Sequence, residues 1–261
     1  MKINEVYCLL IPLLLLTHSH SAISLDTIPR DAQRLIDCYP SFIQGFSHNH
    51  LIFRDATEMI WDDGIRNKSW QLLLDHADLK DMFNQTYKTG PLLIFPVTNV
   101  DPGRIRNNAF FEKMYGGSAK EVKKHLTAVI WCPKLVQQTI MVTKINNVDR
   151  QIEAVSAELD RHPELIKYLE AIGGTFAWRN IAGTNRHSNH SYGMTIDINT
   201  RYSDYWRWSC KCSSENSTFK YQNRIPQTIV DIFERHGFIW GGKWYHYDTM
   251  HFEYRPELFS K

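Results

Sequence analysis

Two stretches of this chain alternate apolar and polar residues with the period of a β-strand. In the first, Met194, Ile196 and Ile198 share one face while Thr195, Asp197 and Asn199 share the other. In the second, Met250, Phe252 and Tyr254 lie on one face and His251, Glu253 and Arg255 on the other. Two such strands each bury an apolar face, and each turns polar side chains toward the opposite side. His190 precedes the first strand in a loop that Gly193 can bend back. Each pattern alone describes an ordinary strand whose polar face meets solvent. Together they bring two imidazoles and a carboxylate, His190, Asp197 and His251, toward one place. Asp248 stands three residues before the last imidazole. Such a set can hold a zinc ion with one coordination position open and place a proton acceptor beside it.

The chain has 261 residues, of which 43% are hydrophobic and 22% charged, enough apolar content for a sizeable core. A net charge of +2 with no Lys/Arg block argues against a nucleic-acid partner. An apolar run from Val6 to Leu16 follows Lys2 and leads into Ser19-His20-Ser21-Ala22. It is shorter than the ~20 residues of a membrane span and fits a secretory signal over residues 1–21. No stable membrane span is expected after its removal, and a periplasmic or secreted location follows. Export permits disulfides among Cys38, Cys132, Cys210 and Cys212, whose three possible pairings the sequence does not choose between. Cys210 and Cys212 are expected to pair poorly with each other and to bond to distant partners. A Cys-x-Cys metal site is the alternative. Sequons stand at Asn67, Asn84, Asn189 and Asn216.

Residues 22–50 read as a loosely structured lead-in. A helical pattern from Ser69 carries Leu72, Leu73, Leu74, Leu79 and Met82. Asp101-Pro102-Gly103 is a turn. Ser118-Ala119-Lys120-Glu121 is a capping box, expected to open a helix with Val122, Leu126 and Val129 on one side and Pro133 at its end. Thr139 to Ile145 reads as a strand closed by Asn146-Asn147. Ile152, Val155 and Leu159 recur at helical spacing, a helix starts at Pro163, and another runs from Pro226 to Gly237. The expected division is a signal over 1–21, a mostly helical N-terminal region over 22–146 and a site-bearing domain over 147–261.

The first motif, Ser188-Asn189-His190-Ser191-Tyr192-Gly193-Met194-Thr195-Ile196-Asp197, resembles the Ser-x-His-x-x-Gly-x-Ala-x-Asp motif of the M15 (VanY-like) zinc D,D-carboxypeptidases and L-alanyl-D-glutamate endopeptidases. Trp240-Gly241-Gly242-Lys243-Trp244, followed by Asp248-Thr249-Met250-His251-Phe252, resembles that family's Trp-Gly-Gly-x-Trp and Asp-x-x-His-Phe stretch. The likeness covers about Gly173 to Pro256. It implies an α+β fold of the hedgehog/D,D-peptidase type: a small antiparallel sheet carrying the zinc site, flanked by helices, here with a helical N-terminal elaboration.

The resemblance also implies roles. Zinc is held by His190, Asp197 and His251, with Asp248 as base and Ser188 near the substrate carboxylate. The arginine expected upstream of the first histidine is Arg179, with Arg186 in reserve, because the spacing from Arg179 to His190 is shorter than the family's. Thr195 replaces the family's Ala. Glu253 and His246 either support the ligands or are surface polar residues. Trp206, Trp208, Trp240 and Trp244 either line a groove or pack a core. The activity so implied is hydrolysis in the peptidoglycan stem peptide, most simply D-alanyl-D-alanine carboxypeptidase action. The rival is a non-catalytic, zinc-containing cell-wall-binding module, which has no need of Asp248.

Overall fold

A computed structural model describes residues 27–259 apart from Ser213. The expected signal segment lies outside these residues. No helix among the described residues is long and apolar enough to cross a membrane.

The N-terminal region opens with helix α1 (Arg30–Cys38), which buries Ala32 and Leu35. Strands β1 (Ile43–Ser47), β2 (His50–Phe53) and β3 (Glu58–Ile60) then form an antiparallel meander. The described part of the expected loose lead-in, residues 27–50, is therefore ordered: its Leu35 and Ile43 reach the core. Helix α2 (Trp70–Asp75) starts at Ser69, whose hydroxyl accepts from Leu72 N. It stops earlier than the leucine spacing predicts. The carboxylates of Asp78 and Asp81 accept from each other's backbone N–H at 2.8 and 3.0 Å, which competes with helical bonding. Leu79 and Met82 are still buried, from the turn that follows.

Helices α3 (Asn108–Tyr115) and α4 (Ala119–Lys123) come next. The Ser118 cap is present, yet the helix ends at Lys123 rather than continuing through Val129. Residues Leu126–Trp131 instead form β4, paired antiparallel with β5 (Gln138–Thr143), Val129 opposite Ile140. Thr127, Val129 and Ile130 are β-branched and face a β-branched partner strand, and that pairing overrides the helical spacing. The expectation of a mostly helical region over 22–146 is thus corrected: five strands share its described part with four short helices.

Helix α5 (Val148–Leu159) buries Ile152, Val155 and Leu159 as their spacing predicts, and α6 (Ile166–Leu169) follows a 3-10 turn at Pro163. The remaining elements are β6 (Ile172–Gly174), β7 (Thr195–Asn199), α7 (Trp206–Cys210), α8 (Gln227–Arg235), β8 (Phe238–Trp240) and β9 (His251–Tyr254). The last four strands make one antiparallel sheet in the order β6-β7-β9-β8. The fold is α+β, small antiparallel sheets flanked by helices.

One face of the four-stranded sheet is the core face. Ile196, Ile198, Phe238 and Phe252 are fully buried, and Phe233 of α8 stacks on Phe252 with ring centroids 3.9 Å apart. Each such side chain contributes about 1.5–3 kcal/mol of burial. The same buried cluster holds Ala32, Phe111, Val129, Ile152 and Phe252, so residues on both sides of Asn147 share a core.

Cys210 and Cys212 are bonded to each other, against the expectation of distant partners. Lys211 takes a left-handed φ of 52°, which turns the chain and brings the two Cα atoms to 5.1 Å, inside the range a disulfide spans. The bond also removes the Cys-x-Cys metal site. Cys132 is buried.

Candidate metal centre

Strand register does what the alternation predicts. Asp197 on β7 lies directly opposite His251 on β9, and Thr195 opposite Glu253. All four side chains therefore emerge on the face away from Phe252. His190 sits on a 3-10 turn, Asn189–Tyr192, that Ser188 caps and Gly193 ends. Gly193 has a φ of +66°, and a Cβ there would meet Leu126 Cδ2 at 2.7 Å, so the loop needs a glycine for both conformation and space.

The three groups converge. Asp197 Oδ1 lies 3.1 Å from His190 Nε2 and 3.0 Å from His251 Nδ1, and the three ligand atoms fall within 4.8 Å of one another. Each imidazole is oriented from its other nitrogen. His190 Nδ1 lies 3.1 Å from the carbonyl of Thr175, so Nδ1–H donates there and Nε2 is bare. His251 Nε2 lies 3.0 Å from Glu253 Oε2, so Nε2–H donates there and Nδ1 is the nitrogen turned toward Asp197. Thr195 contributes too: its hydroxyl donates to the same Thr175 carbonyl at 3.4 Å. Glu253 is fully buried and also accepts from Asn189 Nδ2 at 2.8 Å. The sequon at Asn189 is thus closed, because its amide is committed to the centre.

Burial alone would raise the carboxyl of Asp197, but the His190 and His251 imidazoles hold it well below the usual carboxylate range. Burial would lower His251, yet Asp197 and Glu253 raise it to about 10. Two nitrogens and one carboxylate oxygen, oriented from behind and crowded on an electron-rich centre, are a donor set suited to zinc.

Asp248 lines the same cleft. Its backbone is fixed on two sides: Asp248 N donates to Gly241 O at 3.0 Å, and its carbonyl accepts from His251 N at 3.2 Å. A Cβ on Gly241 would come within 2.6 Å of the Asp248 carbonyl, which explains why glycine stands there. The carboxylate Oδ1 is buried and has no hydrogen-bond partner. Burial and the neighbouring Asp197 charge push the Asp248 carboxyl upward, while His251 and Arg179 oppose them.

The cleft measures about 300 Å³. Ser188, Arg179, Trp206, Trp208 and Trp244 line it. Arg179 is held beside the first motif by Ser188 N and Ser191 Oγ, both donating to its carbonyl. Arg186 turns elsewhere, toward Asp75 at 3.3 Å and Glu215 at 3.8 Å. The four tryptophans divide: Trp240 packs the core, while the other three face the cleft, Trp208 with half its surface exposed. His246 lies in the cleft wall but binds Asp101 and the Glu215 carbonyl, not the ligands.

Two further cleft residues belong to no motif of the sequence. Arg104 and Arg106 also line the cavity. They follow the Asp101-Pro102-Gly103 turn about 150 residues before β9, and no local spacing links them to the histidines. That turn was the one available signal.

Residues 182–254 match the family described as D-alanyl-D-alanine carboxypeptidase, an M15 peptidase domain. The match contains Ser188, His190, Asp197, Asp248 and His251, while Arg179, Arg106 and Arg104 lie upstream of it. No curated protein and no solved structure matches the chain. The matched domain and the His/Asp/His cluster together support a zinc metallopeptidase.

Proposed function

We propose that the chain is an exported zinc peptidase that hydrolyses a peptide bond of the peptidoglycan stem peptide, acting as a D-alanyl-D-alanine carboxypeptidase. The observation that carries this reading is the meeting, in one cleft, of the three-ligand cluster with a buried Asp248 oxygen that has no partner. The matched family's description points to the same substrate.

His190 Nε2, an Asp197 oxygen and His251 Nδ1 would hold the metal. Zinc bound there supplies Lewis acidity toward the scissile carbonyl and toward water. Asp248 Oδ1 takes a proton from the attacking water and returns it to the leaving amine. A carboxyl raised above its usual range suits a group that must both accept and give a proton. Arg179 offers positive charge to the carbonyl oxygen as it becomes an oxyanion. Ser188 Oγ accepts from His190 N at 3.4 Å, which leaves its own proton for the substrate carboxylate. Trp206 and Trp244, nearly buried, wall the cleft and limit water around the reacting groups. A location in the periplasm or outside the cell fits the apolar run from Val6 to Leu16, read as part of a leader over residues 1–21.

Asp248→Asn tests the reading. The variant is expected to retain zinc and to lose about 10²–10⁴-fold in turnover, the usual worth of a positioned proton carrier. Turnover at the wild-type level would remove Asp248 as the base, and no turnover by the wild-type protein itself would favour a binding module.

A further inference from the structure

We infer that Arg106 is a positioning residue of the metal centre, acting on His251 through Glu253; the inference rests on zinc binding at the His190, Asp197 and His251 cluster. Glu253 is fully buried, and four donors meet it. Its Oε2 accepts from His251 Nε2 at 3.0 Å, from Asn189 Nδ2 at 2.8 Å and from Arg106 Nη1 at 3.5 Å. Its Oε1 accepts from Arg255 Nη1 at 3.0 Å. A carboxylate fixed on Nε2 is what leaves Nδ1 free to face Asp197. The direction in which His251 presents its lone pair therefore depends on where Glu253 is held.

A charge count identifies the neighbour that matters. Arg255 is shared, because its Nε donates to Glu257 at 2.5 Å. Asn189 is neutral. Two buried carboxylates, Glu253 and Glu257, then face two guanidiniums, Arg255 and Arg106. The Arg106 side chain is only 9% exposed, and among the described residues its one ion pair is with Glu253. Without Arg106 the back of the centre carries an unbalanced buried negative charge, which is costly unless Glu253 moves.

Arg106 comes from outside residues 182–254, and its segment is pinned to the site at four successive points. Tyr245 N donates to Val100 O at 2.9 Å and His246 N to Asp101 Oδ1 at 2.8 Å. Trp244 Nε1 donates to Pro102 O at 2.7 Å and Arg255 Nη1 to Gly103 O at 2.9 Å. A Cβ on Gly103 would lie 2.3 Å from Ile239 Cδ1, so this segment lies flush against β8. The N-terminal region thereby supplies part of the metal centre rather than an appendage to it.

The test is Zn²⁺ affinity, measured by competition with a chromophoric chelator, on wild type, Arg106→Ala, Arg106→Lys, Glu253→Gln and the Arg106→Ala/Glu253→Gln double variant. Circular dichroism and thermal melts report folding. Arg106→Ala is expected to weaken zinc about 10- to 100-fold, the range for groups behind a ligand. Lysine should recover most of that loss, and the alanine change should add little once Glu253 is Gln. Where the alanine variant does not fold, Arg106→Gln gives the same reading. Wild-type zinc affinity in a folded Arg106 variant overturns the inference, and a raised KM in that variant would assign Arg106 to substrate instead. An equal loss in both Glu253 backgrounds overturns it as well. A wild-type chain that takes up no zinc overturns the metal reading and the inference together, and the wild-type titration alone separates that failure from the others.

Discussion

His251 carries the most constraints of any residue in the centre. One nitrogen faces Asp197 and the other Glu253, each at 3.0 Å, and the ring lies 7% exposed behind Trp244. A side chain held from both ends has lost its rotamer freedom before any metal arrives, so less ordering remains to oppose binding. His251→Ala removes one of three ligands and leaves Glu253 without its partner. It is expected to abolish zinc retention, where wild type holds about one ion per chain. Elemental analysis after dialysis checks this, and a variant that keeps its zinc with full turnover would exclude His251 as a ligand. At this scale the sequence is highly legible. Side-chain alternation places Asp197 and His251 on one face, and the residue types name the chemistry. Glu253 could be suspected from its place two residues after His251 on the same strand face. Thr175 could not, because it acts through a backbone carbonyl that any residue provides.

Elements were legible where local pattern and tertiary partner agree. Helices α5 and α8 and strands β7 and β9 follow their periodicity because each packs on the core in the way its apolar stripe dictates. Strand β4 carries a helical signal in its sequence because Val122, Leu126 and Val129 also fit a helical stripe, and only the partner strand β5, invisible in local spacing, decides the matter. The segment from Asp101 to Arg106 was legible as a turn and nothing more. Its worth lies in contacts about 150 residues away in sequence. Asp101 is fully buried between Arg104 and His246, at 2.8 and 2.6 Å. Burial would raise its carboxyl, but Arg104 and His246 hold it below its ordinary value. A depressed carboxyl stabilises the fold fully above its unfolded value of about 4, and the contribution disappears as pH falls through the lowered folded value. Glu215, paired with Arg104 at 2.7 Å, is depressed in the same sense. The melting temperature should therefore fall on acidification below about pH 4, and Asp101→Asn should flatten that slope while lowering the melting temperature at pH 7. Thermal melts across pH read both effects; a slope unchanged in Asp101→Asn would show that this network does not set the acid limit.

At the scale of the molecule, the four-stranded sheet works as a two-sided plate. Its apolar side joins one core that extends from Ala32 to Tyr254. Its polar side carries the His190, Asp197 and His251 cluster, with Asp248 at the same cleft. The N-terminal region closes that polar side from behind through the Val100–Arg106 segment. A division of the chain near Asn147, natural from sequence, cuts across both the core and the back wall of the site. The most direct test of the proposed function is mass spectrometry of a defined muropeptide whose stem pentapeptide ends in D-alanyl-D-alanine, incubated with the zinc-loaded protein and with Asp248→Asn. Loss of the terminal D-alanine is expected with the wild-type protein and an intact stem with the variant; an intact stem with both, or equal cleavage by both, would contradict the proposed function.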